Sequence, residues 1–131
     1  MPSSILFVCT GNVARSQMAE IIYNHLSKTT TASSAGTDVK VGEPIHPDVI
    51  ATFDRHFLRH ANLFRKQVTK ESVDKADKII LMTQESLPAY LTNNPKTVYW
   101  DIDDPRGLGL DAHEAVYKKI REKITIMREF E

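Results

Sequence analysis

A single cysteine stands among the 131 residues of this chain, which excludes an internal disulfide and any CxxC metal or redox pair. Cys9 is then either a small buried apolar residue or a reactive thiol. Five glycines and six prolines are too few for a collagenous or low-complexity chain. With 41% hydrophobic and 26% charged residues, the composition is that of a globular protein rather than a disordered one. No sign of charge dominates, because seventeen Lys and Arg face seventeen Asp and Glu. No global field therefore points to nucleic acid or to an anionic membrane, and any anion site has to be local. Long apolar runs are missing as well. Ile79-Ile80-Leu81-Met82 falls far short of the roughly 20 residues that span a bilayer, and Met1-Pro2-Ser3-Ser4 lacks a basic leader region. These features lead to the expectation of a cytoplasmic protein, and the length to a single domain over residues 1–131.

What is present is an alternation of strand and helix signals. Ile5-Leu6-Phe7-Val8-Cys9 is a continuous apolar run ended by a Gly-Asn turn, the pattern of a strand covered on both faces. From Ser16 onward Met18, Ile21, Ile22 and Leu26 recur at helical spacing. Thr30 to Gly36 predicts a second, short strand. Asp38 to Pro47 has loop composition, and Ile45, Val49, Phe53 and Phe57, each four apart, predict a second helix. Arg55 to Lys66 has no clean period and is left without an assignment. Asp77 to Met82 predicts a third strand, with Thr83 placed to cap a helix that Pro88 would shorten or bend. Thr97 to Trp100 predicts a fourth strand and Asp101 to Gly109 a loop. Val116, Ile120, Ile124 and Met127 then form the apolar stripe of a charged C-terminal helix. The fold class this implies is α/β, a parallel sheet between two helical layers, with ligands bound at the carboxyl ends of the strands.

The segment Cys9-Thr10-Gly11-Asn12-Val13-Ala14-Arg15-Ser16 sets a cysteine and an arginine on either side of five residues, where a strand passes into a helix. Backbone N–H groups of such a loop turn inward as an anion nest, the helix start adds partial positive charge, and Arg15 can fork two hydrogen bonds onto an oxyanion. Gly11 and Asn12 supply backbone freedom, and the Asn12 amide can bridge the loop and hold it open before a ligand arrives. In that field the thiolate of Cys9 is favoured, and Ser16 can donate its hydroxyl to it. Thr10, Gly11, Asn12, Val13, Ala14 and Ser16 are thus the expected substrate-binding residues, and Cys9 and Arg15 the catalytic ones.

These residues resemble the low-molecular-weight protein tyrosine phosphatase superfamily, which includes the arsenate reductases of the same fold. The resemblance rests on the Cys-x5-Arg-Ser loop, on Ser34-Ala35-Gly36-Thr37, on Gln67-Val68-Thr69-Lys70-Glu71 and on Asp104-Pro105, in the family's order along nearly the whole chain. It implies a four-stranded parallel sheet in a three-layer α/β/α sandwich, Cys9 as nucleophile, Arg15 as oxyanion clamp and Asp104 as general acid. A phosphoryl transfer through cysteine needs a proton for the leaving oxygen, and a loop beyond the last strand lies on the rim of such a site. Asp101 and Asp103 compete for that role, and Pro105 stiffens the chain beside Asp104.

The chain also departs from the family. Ala14 stands where many members keep a second cysteine, and Arg106-Gly107-Leu108 follows the Asp-Pro pair where tyrosine phosphatases often carry aromatic residues. Leu63 aligns with a histidine that braces the loop asparagine, with His60 three residues earlier. His56 and His60 read as a solvated basic face rather than metal ligands, and Tyr99-Trp100 as core aromatics at a strand end.

The expected activity is hydrolysis of a phosphotyrosine-containing protein or small aryl phosphate through a cysteinyl-phosphate, with no metal or cofactor. Phosphate, vanadate or arsenate would be oxyanion ligands, and neither nucleic acid nor membrane a partner. Arsenate reduction with an external thiol or a glutaredoxin-like partner is the first alternative. An oxyanion-binding module without catalysis is the second.

Overall fold

Ser4 leads straight into the apolar run, which forms the first of two central strands, β1 (Ile5–Cys9), buried along its whole length. A computed structural model of the chain describes residues 4–28, 31–61 and 63–130. The elements that follow are α1 (Arg15–Ser27), β2 (Ala32–Gly36), α2 (Pro47–Arg55), α3 (Lys70–Lys75), β3 (Lys78–Leu81), α4 (Ala89–Thr92), β4 (Thr97–Tyr99) and α5 (Leu110–Glu129). The sheet has the order β2-β1-β3-β4, and every pairing is parallel. This is the four-stranded α/β architecture that the sequence predicts.

Alternate residues of the central strands point to opposite layers. Phe7, Cys9 and Ile80 join Met18, Ile22 and Tyr23 of α1, Val49 and Phe53 of α2, and Val116, Ile120 and Ile124 of α5. Leu6, Val8, Ile79 and Leu81 join Val73 of α3 and Leu91 of α4 on the other side. Coverage of both faces is why the strands are continuously apolar rather than alternating. Registers Val8↔Ala35 and Val8↔Leu81 bring the carboxyl ends of β2, β1 and β3 level beside the Cys9 loop. Among the described residues no helix is long and apolar enough to cross a membrane.

Several boundaries differ from the sequence reading. α1 begins at Arg15, one residue before Ser16. Thr30, expected to start the second strand, lies outside the described residues, as do Met1 to Ser3. Phe57, the last member of the four-residue repeat, is not on a buried helix face: α2 ends at Arg55, Phe57 turns to φ 57° and stands 89% exposed. The Leu58 N–H bonds the Phe53 carbonyl at 2.9 Å, and Leu58 fills the core in its stead. Thr83 caps no helix, since α4 starts only after Pro88. Its hydroxyl accepts the Glu85 N–H at 3.1 Å and pairs with the Thr10 hydroxyl at 2.7 Å. Of the two aromatics expected in the core, Trp100 is buried with its ring 6.0 Å from Phe7, whereas Tyr99 is half-exposed on the edge strand. α3 went unread, although Thr69 and Ser72 form a reciprocal capping box that marks its start.

Candidate active site

The loop from Cys9 to Arg15 lies at the carboxyl end of β1. Its shape comes from three sources: a left-handed residue, a close approach of the neighbouring strand, and a hub of buried hydrogen bonds. Asn12 takes φ 52°, a conformation asparagine tolerates better than most residues. Gly11 is not in that region. A Cβ on Gly11 would instead approach Val13 Cγ2 to 3.2 Å, so its smallness rather than its flexibility matters. Gly36, at the end of β2, is the stricter case, because a Cβ there would lie 2.4 Å from the Thr10 carbonyl oxygen and 2.8 Å from the Asn12 nitrogen. Beyond it the Thr37 and Asp38 N–H groups bond the carbonyls of Cys9 and Thr10 at 3.0 and 2.9 Å.

Asn12 is fully buried, and its amide makes four hydrogen bonds. Nδ2 donates to Ser16 Oγ at 2.7 Å and to Ser34 Oγ at 3.1 Å. Oδ1 accepts from Gln17 Nε2 at 2.9 Å and from the Lys66 N–H at 2.8 Å. Both donors and both lone pairs of the amide are thereby used. The expected bridge by Asn12 is present, and the brace opposite it is Gln17 together with the Lys66 backbone, in place of a histidine at position 63 or 60. Ser34 passes the network on to Glu20, donating at 2.8 Å. A reading of the sequence does not place Gln17, Ser34 or Thr83 among the loop's partners: Ser34 enters it only within the family resemblance and Thr83 only as a helix cap. The one available signal is three polar residues in stretches otherwise buried, each of which needs a partner.

Cys9 Sγ lies 2.9 Å from Ser16 Oγ, the pairing expected of a thiol steadied by a hydroxyl. Ala14 precedes α1 without a side-chain cap, so the helix presents its first backbone N–H groups uncapped by any side chain beside the sulfur. Arg15 is buried, and its Nη1 donates to the Met82 carbonyl at 2.6 Å and to the Ile102 carbonyl at 3.2 Å. Two backbone carbonyls at the ends of neighbouring segments thus fix the guanidinium through Nη1, and Nη2 faces Asp104.

Of the three acidic residues in the late loop, Asp104 is the one that reaches the site. Its Oδ2 is 3.7 Å from Arg15 Nη2, while Asp101 and Asp103 are solvent-exposed. Asp104 shares a pocket with Cys9, Gly11, Val13, Ala14, Arg15 and Arg106. The Arg106 N–H donates to Asp104 Oδ1 at 3.0 Å and the Arg106 Nη2 to Oδ2 at 3.0 Å. Partial burial by itself would raise the carboxyl, but the Arg106 N–H and the charges of Arg15 and Arg106 outweigh it and hold Asp104 below its ordinary value of 3.8. Asp104 is therefore a carboxylate at neutral pH. A dianion held beside it would push the carboxyl upward.

The histidines do not form a solvated face. His56 Nε2 meets Glu114 Oε2 at 2.8 Å and its ring stacks on Tyr117 at 3.9 Å, while His60 Nε2 meets Asp54 Oδ1 at 2.7 Å. His46, Asp48 and His113, three residues the sequence does not group, do converge. Both Nδ1 atoms there are already engaged: His46 Nδ1 accepts the Asp48 N–H at 3.0 Å, and His113 Nδ1 bonds the Gly109 carbonyl at 2.7 Å. This cluster ties α2 to the start of α5, and none of its residues lines the Cys9 pocket.

Known proteins resemble this chain in sequence and in fold. The tyrosine phosphatase Wzb of Salmonella typhi is 30% identical over 128 residues, covering 89% of this chain and 86% of that protein. Arsenate reductase 1 of Bacillus cereus is 27% identical, with 92% and 87% covered. Among solved structures, Vibrio vulnificus Wzb in complex with benzylphosphonate superposes with a TM-score of 0.88 at 25% identity, covering 97% of each chain. The YwlE arginine phosphatase from Geobacillus stearothermophilus superposes with a TM-score of 0.85 at 25% identity, covering 98% and 92%. Residues 4–129 match the family described as low molecular weight phosphotyrosine protein phosphatase, a span that takes in the anion loop, its asparagine hub and the Asp104 loop together. With the family model matching over that whole length and the fold in agreement, the chain belongs to the low molecular weight phosphotyrosine protein phosphatase family.

Proposed function

We propose that this protein hydrolyses aryl phosphomonoesters, phosphotyrosine in proteins foremost, through a phosphocysteine on Cys9. The observation that carries the reading is the meeting, in one small pocket, of a sulfur 2.9 Å from a hydroxyl, an arginine pinned by backbone carbonyls, and a carboxylate 3.7 Å from that arginine. Cys9 Sγ attacks phosphorus in line as the ester P–O bond breaks, and Asp104 gives its proton to the leaving oxygen. Arg15 and the loop N–H groups hold the three equatorial oxygens as charge spreads over them. Asp104, now ionised, then takes a proton from water, whose oxygen displaces the thiolate and releases phosphate.

Val13 methyls line the pocket and Arg106 stands at its rim, which suits an aromatic leaving group and opposes the cationic guanidinium of a phosphoarginine. Arsenate reduction is the second reading, favoured by the likeness to an arsenate reductase. That reaction takes two electrons, commonly from two thiols that become a disulfide, and this chain holds one cysteine. At least one thiol would come from outside. The deciding experiment assays aryl phosphate hydrolysis and thiol-dependent arsenate reduction side by side, on wild type and Cys9→Ser. Hydrolysis lost in the serine variant, with a burst of phenolate in the wild type, supports the phosphocysteine. Reduction without hydrolysis selects the alternative, and binding without either activity selects a non-catalytic oxyanion module.

A further inference from the structure

The cation at the mouth of the pocket has no role in the mechanism above. Arg106 is exposed, yet its guanidinium arches over the anion loop: a Cβ placed on Gly11 would stand 3.7 Å from Arg106 Nη1. Its Nη2 and Nη2 of Arg15 approach the same oxygen, Asp104 Oδ2, from 3.0 and 3.7 Å. Two guanidiniums thus share one carboxylate oxygen, and the pocket has one more positive group than a single phosphoryl cradle requires. The two oxygens of Asp104 are held differently. Oδ1 accepts the Arg106 backbone N–H, a turn contact that any residue at 106 with an N–H would supply, whereas Oδ2 depends on the side chain. With 56% of its side chain in solvent, Arg106 forms the kind of ion pair that contributes little and exchanges readily.

We propose that Arg106 is a second anion-recognition residue, selecting phosphomonoesters whose leaving group carries another negative group and moving from Asp104 Oδ2 onto that group when substrate binds. Arg15 and the loop take the phosphoryl oxygens and Arg106 takes the second anion. Asp104 stays in place through Oδ1 while Oδ2 is freed to carry the proton. The inference rests on the phosphatase reading for its substrate, and it names the class within it: aryl phosphates with a nearby acidic group, as in a phosphotyrosine flanked by an acidic side chain. A bare phenyl phosphate offers Arg106 nothing in exchange for Asp104.

The test measures equilibrium binding of phenylphosphonate and of its ortho-, meta- and para-carboxylated forms to wild type, Arg106→Met, Arg106→Lys and Lys119→Met, with a thermal melt of each protein. Lys119 lines the adjoining recess with Asp103 and Asp104 and controls for the general field. The wild type is expected to bind at least one carboxylated isomer about tenfold more tightly than the parent, the strength of one added charge-assisted contact. Arg106→Met should erase that preference, and Arg106→Lys and Lys119→Met should keep part or most of it. No preference in the wild type, an equal preference in Arg106→Met, or equal losses in Arg106→Met and Lys119→Met would overturn the proposal. Hydrolysis of the corresponding phosphate esters is followed in parallel. If none is hydrolysed while the binding preference stands, the phosphatase reading fails and the second anion site survives. If all are hydrolysed without preference, the reverse holds.

Discussion

Replacing Asn12 with alanine removes an amide whose four hydrogen bonds hold the Cys9 loop, and the cost can be worked bond by bond. Ser16 Oγ retains Cys9, Ser34 Oγ retains Glu20, and Gln17 Nε2 retains the Phe64 carbonyl, so these three partners lose one bond each and are not stranded. The Lys66 N–H loses its acceptor altogether. A stranded donor costs ~1–3 kcal/mol and each of the other bonds ~1 kcal/mol net. Alanine at φ 52° adds ~1–2 kcal/mol of backbone strain. These contributions sum to about 5–8 kcal/mol, and since they overlap the expected loss lies at the low end, about 5 kcal/mol, a large share of the ~5–15 kcal/mol that holds a domain together. Asn12→Gly removes the bonds without the strain and should lie about 1 kcal/mol above the alanine variant. Asn12→Asp separates stability from chemistry. Its carboxylate still accepts from Gln17 and Lys66, and the two serine hydroxyls can rotate to donate. Ser16 would then turn its proton away from Cys9, beside a new negative charge. That variant should retain most of the stability and lose most of the activity. Urea unfolding gives the three stabilities, and kcat/KM on an aryl phosphate gives the chemistry. An alanine variant within 1 kcal/mol of wild type and fully active would refute the view that this hub holds the loop open.

Arg15→Lys keeps the charge and loses the planar fork that reaches two backbone carbonyls and an oxyanion at once, so turnover should collapse; a near-normal rate in steady-state assays would remove Arg15 from the mechanism. Asp104→Asn should slow hydrolysis of phenyl phosphates far more than of esters with very acidic leaving groups, since only the former need the proton, and equal losses would assign Asp104 a structural role. Because Asp104 is held below 3.8 in the folded chain, its contribution to stability is complete above that value and disappears as pH falls through the lower folded-state value. The stability gap between wild type and Asp104→Asn, read from urea midpoints, should therefore narrow on acidification; a gap that widens contradicts the sign. Peroxide converts a thiolate to a sulfenic acid that normally survives by condensing with a second thiol, and this chain has none. Activity should recover poorly with dithiothreitol after graded exposure, with sulfinic mass on the Cys9 peptide and protection by bound phosphate or vanadate. Full recovery without that mass would count against an activated Cys9.

The four strands and the helices α1, α2 and α5 were legible from the sequence because both kinds of element depend on short periods, whereas α3 was not. An unbroken apolar run reports burial on two faces, and a repeat of three and four reports a helix face. The Cys-x5-Arg loop was legible for the same reason: the proposed nucleophile, the proposed clamp and the helix start lie within eight residues, so their proximity follows from local geometry. Phe57 shows where period fails, since a repeat cannot tell that the chain has already left the helix and that Leu58 fills the core.

Tertiary structure decided whatever depends on partners far apart in the chain. Asp104 is distinguished from Asp101 and Asp103 by its distance to Arg15, a residue 89 positions earlier, and no composition of the loop encodes that distance. Thr83 looks like a helix cap in sequence and becomes a partner of Thr10 because parallel strands bring their carboxyl ends level. Asn12 finds Ser34 and Lys66, and Gly36 is confined to a hydrogen for a side chain, because β2 lies against β1 in one register. The sequence by itself determined which groups are proposed for the chemistry and which segments carry them. Only the packed sheet decided how they are braced, because buried polar groups take their partners from whatever the fold sets beside them, without regard to separation along the chain.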